Sequence, residues 1–298
     1  MLRKVTEMTS TVRPIVTRSL GYTGSISPED DTPYLGTRGP EFRSLIKNIL
    51  NKALKPDLVS MLTSTPNIGI YSQVFTSADI DTKCNYEYYE QMGDVIIGQF
   101  IVWYMYRRFP RLRCQEGVKV VARLRINCGS RDYLSNIADE LGFWPFISAL
   151  QSKRDTMKKP CLEDVFEAFI GGTADILDNS LGQGAGYIGA YKILENIFDA
   201  KDISLKYTDL FDKKTQCKEL QERFKAELGP KLIYINTRNQ EERITESIVY
   251  RFDNNGRKIE LGRGRAPAQA DAEQRAAEVA VKLLNSQGYI KPVSAIYD

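Results

Sequence analysis

The sequence predicts an α + (α+β) architecture. An all-helical domain spans residues 41–203, a compact α-β-β-β-α unit spans 204–298, and an irregular arm at 1–40 precedes them. Three observations carry this reading. Between 41 and 200, apolar residues recur at helical spacing and strand signals are nearly absent. After 201 two alternating stretches appear, 232–237 and 247–252. The turn signal Asp253-Asn254-Asn255-Gly256 separates them from a third, 258–261. Two domains also suit a chain of 298 residues, since single cores stop growing at roughly 250–300 residues.

The elements follow in order. Residues 1–40 are rich in Thr, Ser, Pro and Gly and have no sustained apolar period. The first twenty hold Arg3, Lys4, Arg13 and Arg18 against Glu7, a balance that an organelle transit peptide shares with a disordered or partner-draped arm. From Glu41, the residues Phe42, Leu45, Ile46, Ile49 and Leu50 mark a helix that Pro56 stops. Residues 86–109 form a long apolar helix punctuated by acids. Short helical pieces at 134–141 and 143–150 divide near Gly142, and helices follow at 162–177 and 186–198. Beyond a polar linker at 200–212, residues 215–228 form an amphipathic helix ended by Gly229-Pro230. Three strands come next, the last leading into Gly262-Arg263-Gly264, and an alanine-rich helix occupies 270–284.

Composition excludes several classes of chemistry. The chain has no histidine, which removes Ser-His-Asp and Cys-His nucleophile activation, histidine zinc sites and imidazole acid–base work. Catalysis here must use carboxylates, lysines, tyrosines, thiols or a carboxylate-bound metal. The cysteines, Cys84, Cys114, Cys128, Cys161 and Cys217, are scattered and form no Cys-x-x-Cys pair, as expected of an intracellular, reducing compartment. The cytoplasm is the first expectation and a mitochondrion the second. The longest apolar run, 95–106, is shorter than the ~18 residues of a membrane span and holds Gly98 and Gln99, so no membrane partner is expected. Net charge is +3, and residues 206–298 hold 17 Lys and Arg against 14 Asp and Glu, too slight an excess to identify a polyanionic partner.

The acids carry the chemistry. Glu87, Glu90 and Asp94 stand at i, i+3 and i+7 and share one helix face, flanked by Tyr88, Tyr89, Met92, Val95, Ile96 and Ile97. Asp164 and Glu167 stand at i and i+3 on another helix, ahead of Gly171-Gly172. With Gly93 beside Asp94, small residues would let the two backbones approach and the two acidic faces meet. Carboxylates gathered in a partly buried seam must protonate, pair with cations or bind a hard metal, Mg²⁺ or Mn²⁺ for oxygen-only donors. Spacing alone leaves a second account open, in which these are solvated helix charges paired with Lys or Arg.

Two motifs go further. The run from Asn85 to Asp94, NYEYYEQMGD, resembles the ribonuclease III signature NERLEFLGDAVL, with both glutamates and the Gly-Asp at the family spacing. The run from Leu162 to Gly172, LEDVFEAFIGG, is similar to the second family motif, ADxxEALIGA. Glu116-Gly117, Leu124, Arg125 and residues 134–141 resemble the segment between them, so the likeness covers about 60–200. The C-terminal unit resembles a double-stranded RNA-binding domain. Its 214–219 run, KTQCKE, is like the first-helix KTxLxE, and Gly262-Arg263-Gly264 with 272–277, AEQRAA, is like the closing GxG…AEQxAA.

The resemblance implies a ribonuclease III endonuclease domain followed by a double-stranded RNA-binding-like domain. It implies cleavage of double-stranded RNA by a homodimer using two metal ions, Mg²⁺ with Mn²⁺ as a substitute, leaving 5′-phosphates, 3′-hydroxyls and short 3′ overhangs. It places Glu90, Asp94, Asp164 and Glu167 at the metals and gives Glu87 and Glu116 supporting catalytic roles. The apolar helix at 95–106, with Phe100, Ile101, Trp103 and Tyr104, fits a central helix with one side in a subunit interface. Arg107 and Arg108, within the basic stretch 107–125, and Lys214, Thr215, Glu219, Arg263 and Arg265 are the candidate RNA contacts. The alternative is a catalytically silent structural or RNA-sequestering protein on the same fold, such as a ribosome-associated subunit.

Departures from the pattern fall mainly in the second unit. Phe75-Thr76-Ser77 lacks the family's histidine, and the usual loop before the second motif is replaced by 151–161, which carries Lys153, Arg154, Lys158 and Lys159. Residues 239–245 hold two acids where the RNA-binding family has a Gly-Pro-x-His loop. The basic pair that opens the last helix falls on Gln269 and Ala270, with Asp271 alongside and two extra residues after Gly262. Lys258, Arg263, Arg265 and Arg275 are the available substitutes. Two readings of this unit stay open, a weakened RNA binder and a module for a protein partner. Gly184-x-Gly186-x-x-Gly189 spells a dinucleotide fingerprint, but it follows a helix rather than a strand, so no cofactor of that kind is expected.

Overall fold

A computed structural model describes residues 31–252 and 256–298. Residues 1–30, which include most of the arm and the transit-peptide reading, lie outside the described residues, as do 253–255 of the expected turn. Strand β1 (Pro33–Tyr34) pairs antiparallel with β2 (Ala149–Leu150). Pro40 opens α1 (Pro40–Asn51) at a position where its missing N–H is no loss, and Phe42, Ile46, Ile49 and Leu50 are buried. Helices α2 (Pro56–Leu62) and α3 (Thr65–Val74) follow.

The next helix, α4 (Glu87–Arg108), buries Tyr89, Gly93, Ile97, Phe100, Ile101, Tyr104 and Met105 along one side. Side chains cap α5 (Gln115–Cys128) and α6 (Arg131–Glu140): Cys114 Sγ accepts from Gly117 N, and Ser130 Oγ from Tyr133 N. Short α7 (Gln151–Thr156) leads into α8 (Lys158–Leu181), the axis of the domain; between 161 and 177 only Glu163, Asp164 and Asp175 escape full burial. Gly184, in the left-handed conformation, starts α9 (Ala185–Asp199). Gly186 and Gly189 lie against Ala174 and Leu177 of α8, so these glycines serve helix packing.

The second unit holds α10 (Tyr207–Leu210), α11 (Lys213–Arg223), α12 (Lys225–Leu228), β3 (Ile233–Asn239), β4 (Ile244–Phe252), β5 (Lys258–Ala266) and α13 (Gln269–Ser286). Its antiparallel sheet runs β3-β4-β5, with a register shift at Val249/Tyr250. Cys217, Leu220, Leu228, Val249, Leu261, Ala276, Ala277, Ala280, Val281 and Leu284 form its own core. The two units touch: Arg123 pairs with Asp212 at 2.7 Å, Arg111 donates to the Asp298 carbonyl at 2.8 Å, and Ser294 Oγ donates to Glu116 at 2.7 Å. Among the described residues no helix is long and apolar enough to cross a membrane.

Several local expectations are corrected. Residues 143–150 are not a helix: a 3-10 turn, Trp144–Phe146, gives way to β2, because Pro145 interrupts helical bonding and Ser148 exchanges backbone bonds with Phe75 and Ser77. Helix 215–228 is two pieces broken at Phe224. The 200–212 linker is not simply polar; Ile203, Leu205 and Leu210 join the first core. Strands β3 and β4 reach into 239–245, leaving a tight turn with Arg243 at φ 53°. Gly262 and Gly264 lie inside β5 rather than after it. A Cβ there would meet the carbonyl oxygens of Ala276 and Ala272 at 2.3 and 2.4 Å, so the glycines let α13 lie against the strand.

Candidate active site

Helices α4 and α8 touch backbone to backbone. A Cβ on Gly171 would lie 2.0 Å from the Tyr89 carbonyl oxygen, so only glycine fits. This contact brings the acidic stretches of the two helices together. Burial, reinforced by the charges of Asp164 and Glu87, pushes the Glu90 carboxyl up to about 7. Glu167 is only 8% exposed, and burial with the charges of Asp94, Glu163 and Glu90 pushes it up to about 8. Asp164 is also raised by burial, an effect opposed by its hydrogen bond from Tyr86 and by Lys153. Asp94 is exposed at the seam edge, and Glu87 is exposed on the first turn of α4.

Among the described residues, Glu90, Asp94 and Glu167 have no ion pair or side-chain hydrogen bond, so pairing with Lys or Arg does not account for them, although Asp94 is exposed. Glu163 differs, since it pairs with Arg131. Four carboxylates facing one another offer only hard oxygen donors, a set that fits Mg²⁺ or Mn²⁺. Among the described residues no three acids close into a ready coordination cluster. Mutual repulsion of uncompensated carboxylates opposes such closure.

Two seam residues escaped the sequence reading. Tyr86 Oη donates to Asp164 Oδ2 at 3.0 Å, and Lys153 Nζ donates to Tyr86 Oη at 3.1 Å and Ser77 Oγ at 2.7 Å. Lys153 was visible only as one basic residue of an unfamiliar loop, and Tyr86 as a motif position between residues of greater charge.

Other candidates sit elsewhere. Glu116 is exposed at the start of α5, where Ser294 Oγ donates to it at 2.7 Å, and this chain does not bring it among the seam carboxylates. Arg108 is a structural group: it donates to Tyr104 Oη, Phe198 O and Lys201 O at 2.8, 2.8 and 3.0 Å. Arg107 is exposed beside the Tyr191 ring. In the second unit Lys214 pairs with Glu273, Thr215 donates to Asp212, and Glu219 accepts from Tyr207 and Lys291. Arg263 pairs with Glu246 and Glu260, and Arg265 with Glu246. These cations are already neutralised within the chain.

The seam is a histidine-free set of carboxylates between two glycine-packed helices. The ribonuclease III domain model matches residues 87–174, which contain all four seam acids. The putative ribonuclease 3 of Invertebrate iridescent virus 6 is 37% identical over 264 residues, covering 84% of this chain and 89% of that relative. The putative ribonuclease 3 of Frog virus 3 is 37% identical over 246 residues, 82% of this chain but 63% of that longer protein. A solved nuclease domain of ribonuclease III from Campylobacter jejuni matches 54% of this chain and 97% of its own, at 18% identity and a TM-score of 0.40. The chain belongs to the ribonuclease III family, and it is a ribonuclease III-type enzyme.

Proposed function

We propose that the chain is an endoribonuclease that cleaves double-stranded RNA as a homodimer, with Mg²⁺ as its metal and Mn²⁺ as a substitute, in a reducing intracellular compartment. The observation that carries this is the facing of Glu90 and Asp94 with Asp164 and Glu167 across a seam without a compensating ion pair. These four side chains would hold the metals. Bound there, two ions supply charge stabilisation to the attacking and leaving oxygens of an in-line displacement at phosphorus. The bond broken is P–O3′, giving a 5′-phosphate and a 3′-hydroxyl, and one site per subunit leaves short staggered 3′ ends.

The dimer reading draws on an apolar face beside the seam. Val95, Trp103 and Ile126 are 66%, 59% and 61% exposed, and they line one groove together with Asp94 and Arg125. Arg125, which shares the groove with Asp94, is exposed and without an ion pair among the described residues, which suits contact with a phosphate backbone near the seam. In the C-terminal unit Lys214, Arg263 and Arg265 add little RNA grip while they stay paired, and its second reading is as a module for a protein partner.

Long, perfectly paired RNA with Mg²⁺ or Mn²⁺ tests the proposal. Short staggered fragments from the wild type, absent with EDTA or in Glu167→Ala, are expected. Duplex binding without cleavage, unchanged by Glu167→Ala, would overturn it in favour of a silent structural or sequestering protein.

A further inference from the structure

One face of Asp164 is held by a chain of donors that the reaction itself does not call for. Tyr86 is 3% exposed and donates its only proton to Asp164 Oδ2 at 3.0 Å. Lys153 Nζ donates to the same phenol oxygen at 3.1 Å and to the buried Ser77 at 2.7 Å, and it lies 3.9 Å from Asp79 Oδ1. Asp164 Oδ1 accepts no hydrogen bond among the described residues. One oxygen of the carboxylate is therefore occupied and the other is open.

The lysine is itself firmly placed. It sits on α7, where the next residue, Arg154, is clamped between the Tyr34 and Trp144 rings at 3.8 and 3.9 Å and donates to Ile147 O at 2.7 Å. Ahead of it, Asp31 Oδ1 accepts from Ser152 N at 3.0 Å. Asp79 joins the same framework, since its Oδ2 accepts from Leu150 N at 2.9 Å. The segment 151–161 thus delivers a cationic donor from a fixed platform to the back of the seam.

We propose that Lys153 and Tyr86 are a positioning pair: Lys153 fixes the Tyr86 phenol, and Tyr86 fixes Asp164 Oδ2, so that the carboxylate meets a divalent cation in one orientation. This rests on the reading of the seam as a metal site. Neither residue is catalytic; both act through Asp164. Groups that orient metal ligands in this way typically influence metal affinity by about 10–100-fold.

The sign of the lysine's effect separates positioning from simple electrostatics. A lysine acting only through its charge repels a cation, so its removal would tighten metal binding. A lysine acting through Tyr86 orders a ligand, so its removal weakens binding.

The test is calorimetric titration of Mn²⁺ into the full chain without RNA, for wild type, Tyr86→Phe, Lys153→Met, Lys153→Arg, the Phe/Met double variant and Glu167→Ala, each first confirmed as folded by its unfolding midpoint. Tyr86→Phe and Lys153→Met are each expected to weaken Mn²⁺ binding about tenfold or more. The double variant should be little worse than either alone, and Lys153→Arg should recover most of the affinity. Unchanged or tighter binding in Lys153→Met overturns the pair, as does full multiplication of the two effects in the double variant. Should Tyr86→Phe not fold, the Lys153→Met and Lys153→Arg comparison decides alone. Wild-type protein that takes up no Mn²⁺ overturns the metal reading and the pair with it. Uptake lost in Glu167→Ala but intact in Tyr86→Phe and Lys153→Met overturns the pair only.

Discussion

Gly93 of α4 lies against the backbone of Glu167 on α8 so closely that a Cβ would stand 1.8 Å from the Glu167 carbonyl oxygen. The residue before one candidate ligand, Asp94, is thereby pressed onto another. Gly93→Ala forces the helices apart at the seam. Overpacking of this kind costs typically about 1–3 kcal/mol, with the larger figure expected where the obstacle is backbone. Urea unfolding of the variant beside wild type checks the stability loss, and cleavage should fall with it.

The raised carboxyls make stability depend on pH in a defined direction. Glu90 and Glu167 ionise near 7 and 8 in the fold, against an ordinary 4.5, so the folded chain binds more protons than the unfolded one across that interval. In EDTA, stability should fall as pH rises from about 4.5 to about 8, because folding holds these groups protonated. Saturating Mg²⁺ binds the ionised form and should flatten or reverse the slope. Unfolding midpoints at a series of pH values, with and without metal, measure both.

Glu167→Gln separates stability from function. It removes a buried carboxyl with no counter-ion, so in EDTA at pH 8 the variant should unfold at higher denaturant than wild type. Cleavage should drop roughly 100-fold or more, beyond the usual effect of a residue that only orients a ligand. A variant both less stable and fully active would contradict the assignment.

The apolar face should hold the subunits together. Trp103 adjoins Val95 and Ile126 on one side and Tyr187, Ile188 and Tyr191 on the other. Large exposed aromatics at the centre of such a patch dominate interface energetics. Trp103→Arg should shift the protein from dimer to monomer in sedimentation velocity, with little change in circular dichroism.

In the second unit, acids govern the cations. Glu246 holds both Arg263 and Arg265, at 3.0 and 3.2 Å. Glu246→Gln frees the Arg265 guanidinium, while Arg263 keeps Glu260, and should tighten binding of an RNA duplex and steepen its salt dependence by about one contact. Arg263→Ala should change the salt slope by less than one phosphate contact. Binding titrations at several salt concentrations read both effects.

The sequence by itself determined the class of fold, the two acidic motifs and the absence of imidazole chemistry. These are properties of periodicity and residue type along one helix at a time, and they survive whatever the helices pack against. Long helices such as 86–109 and 162–177 were legible within a few residues for that reason. What lay between partners distant in sequence was not. Residues 143–150 read as helix because their apolar pattern is helical, yet Phe75, Ser77 and Tyr34 draw them into bridges and a strand. The third strand read as ending at Leu261, ahead of the glycines at 262 and 264, because glycine weakens a strand signal, whereas α13 needs them inside the strand.

The site divides in the same way. Which acids face one another was suggested by spacing, but their lack of counter-ions, the engagement of Arg108, Arg263 and Arg265, and the Ser294 partner of Glu116 were decided only by the tertiary structure. Lys153 reaches Tyr86 across 67 positions and Tyr86 reaches Asp164 across 78. A charge on the sequence does not reveal its partner, because hydrogen bonds and ion pairs act over a few ångströms of space and are indifferent to separation along the chain.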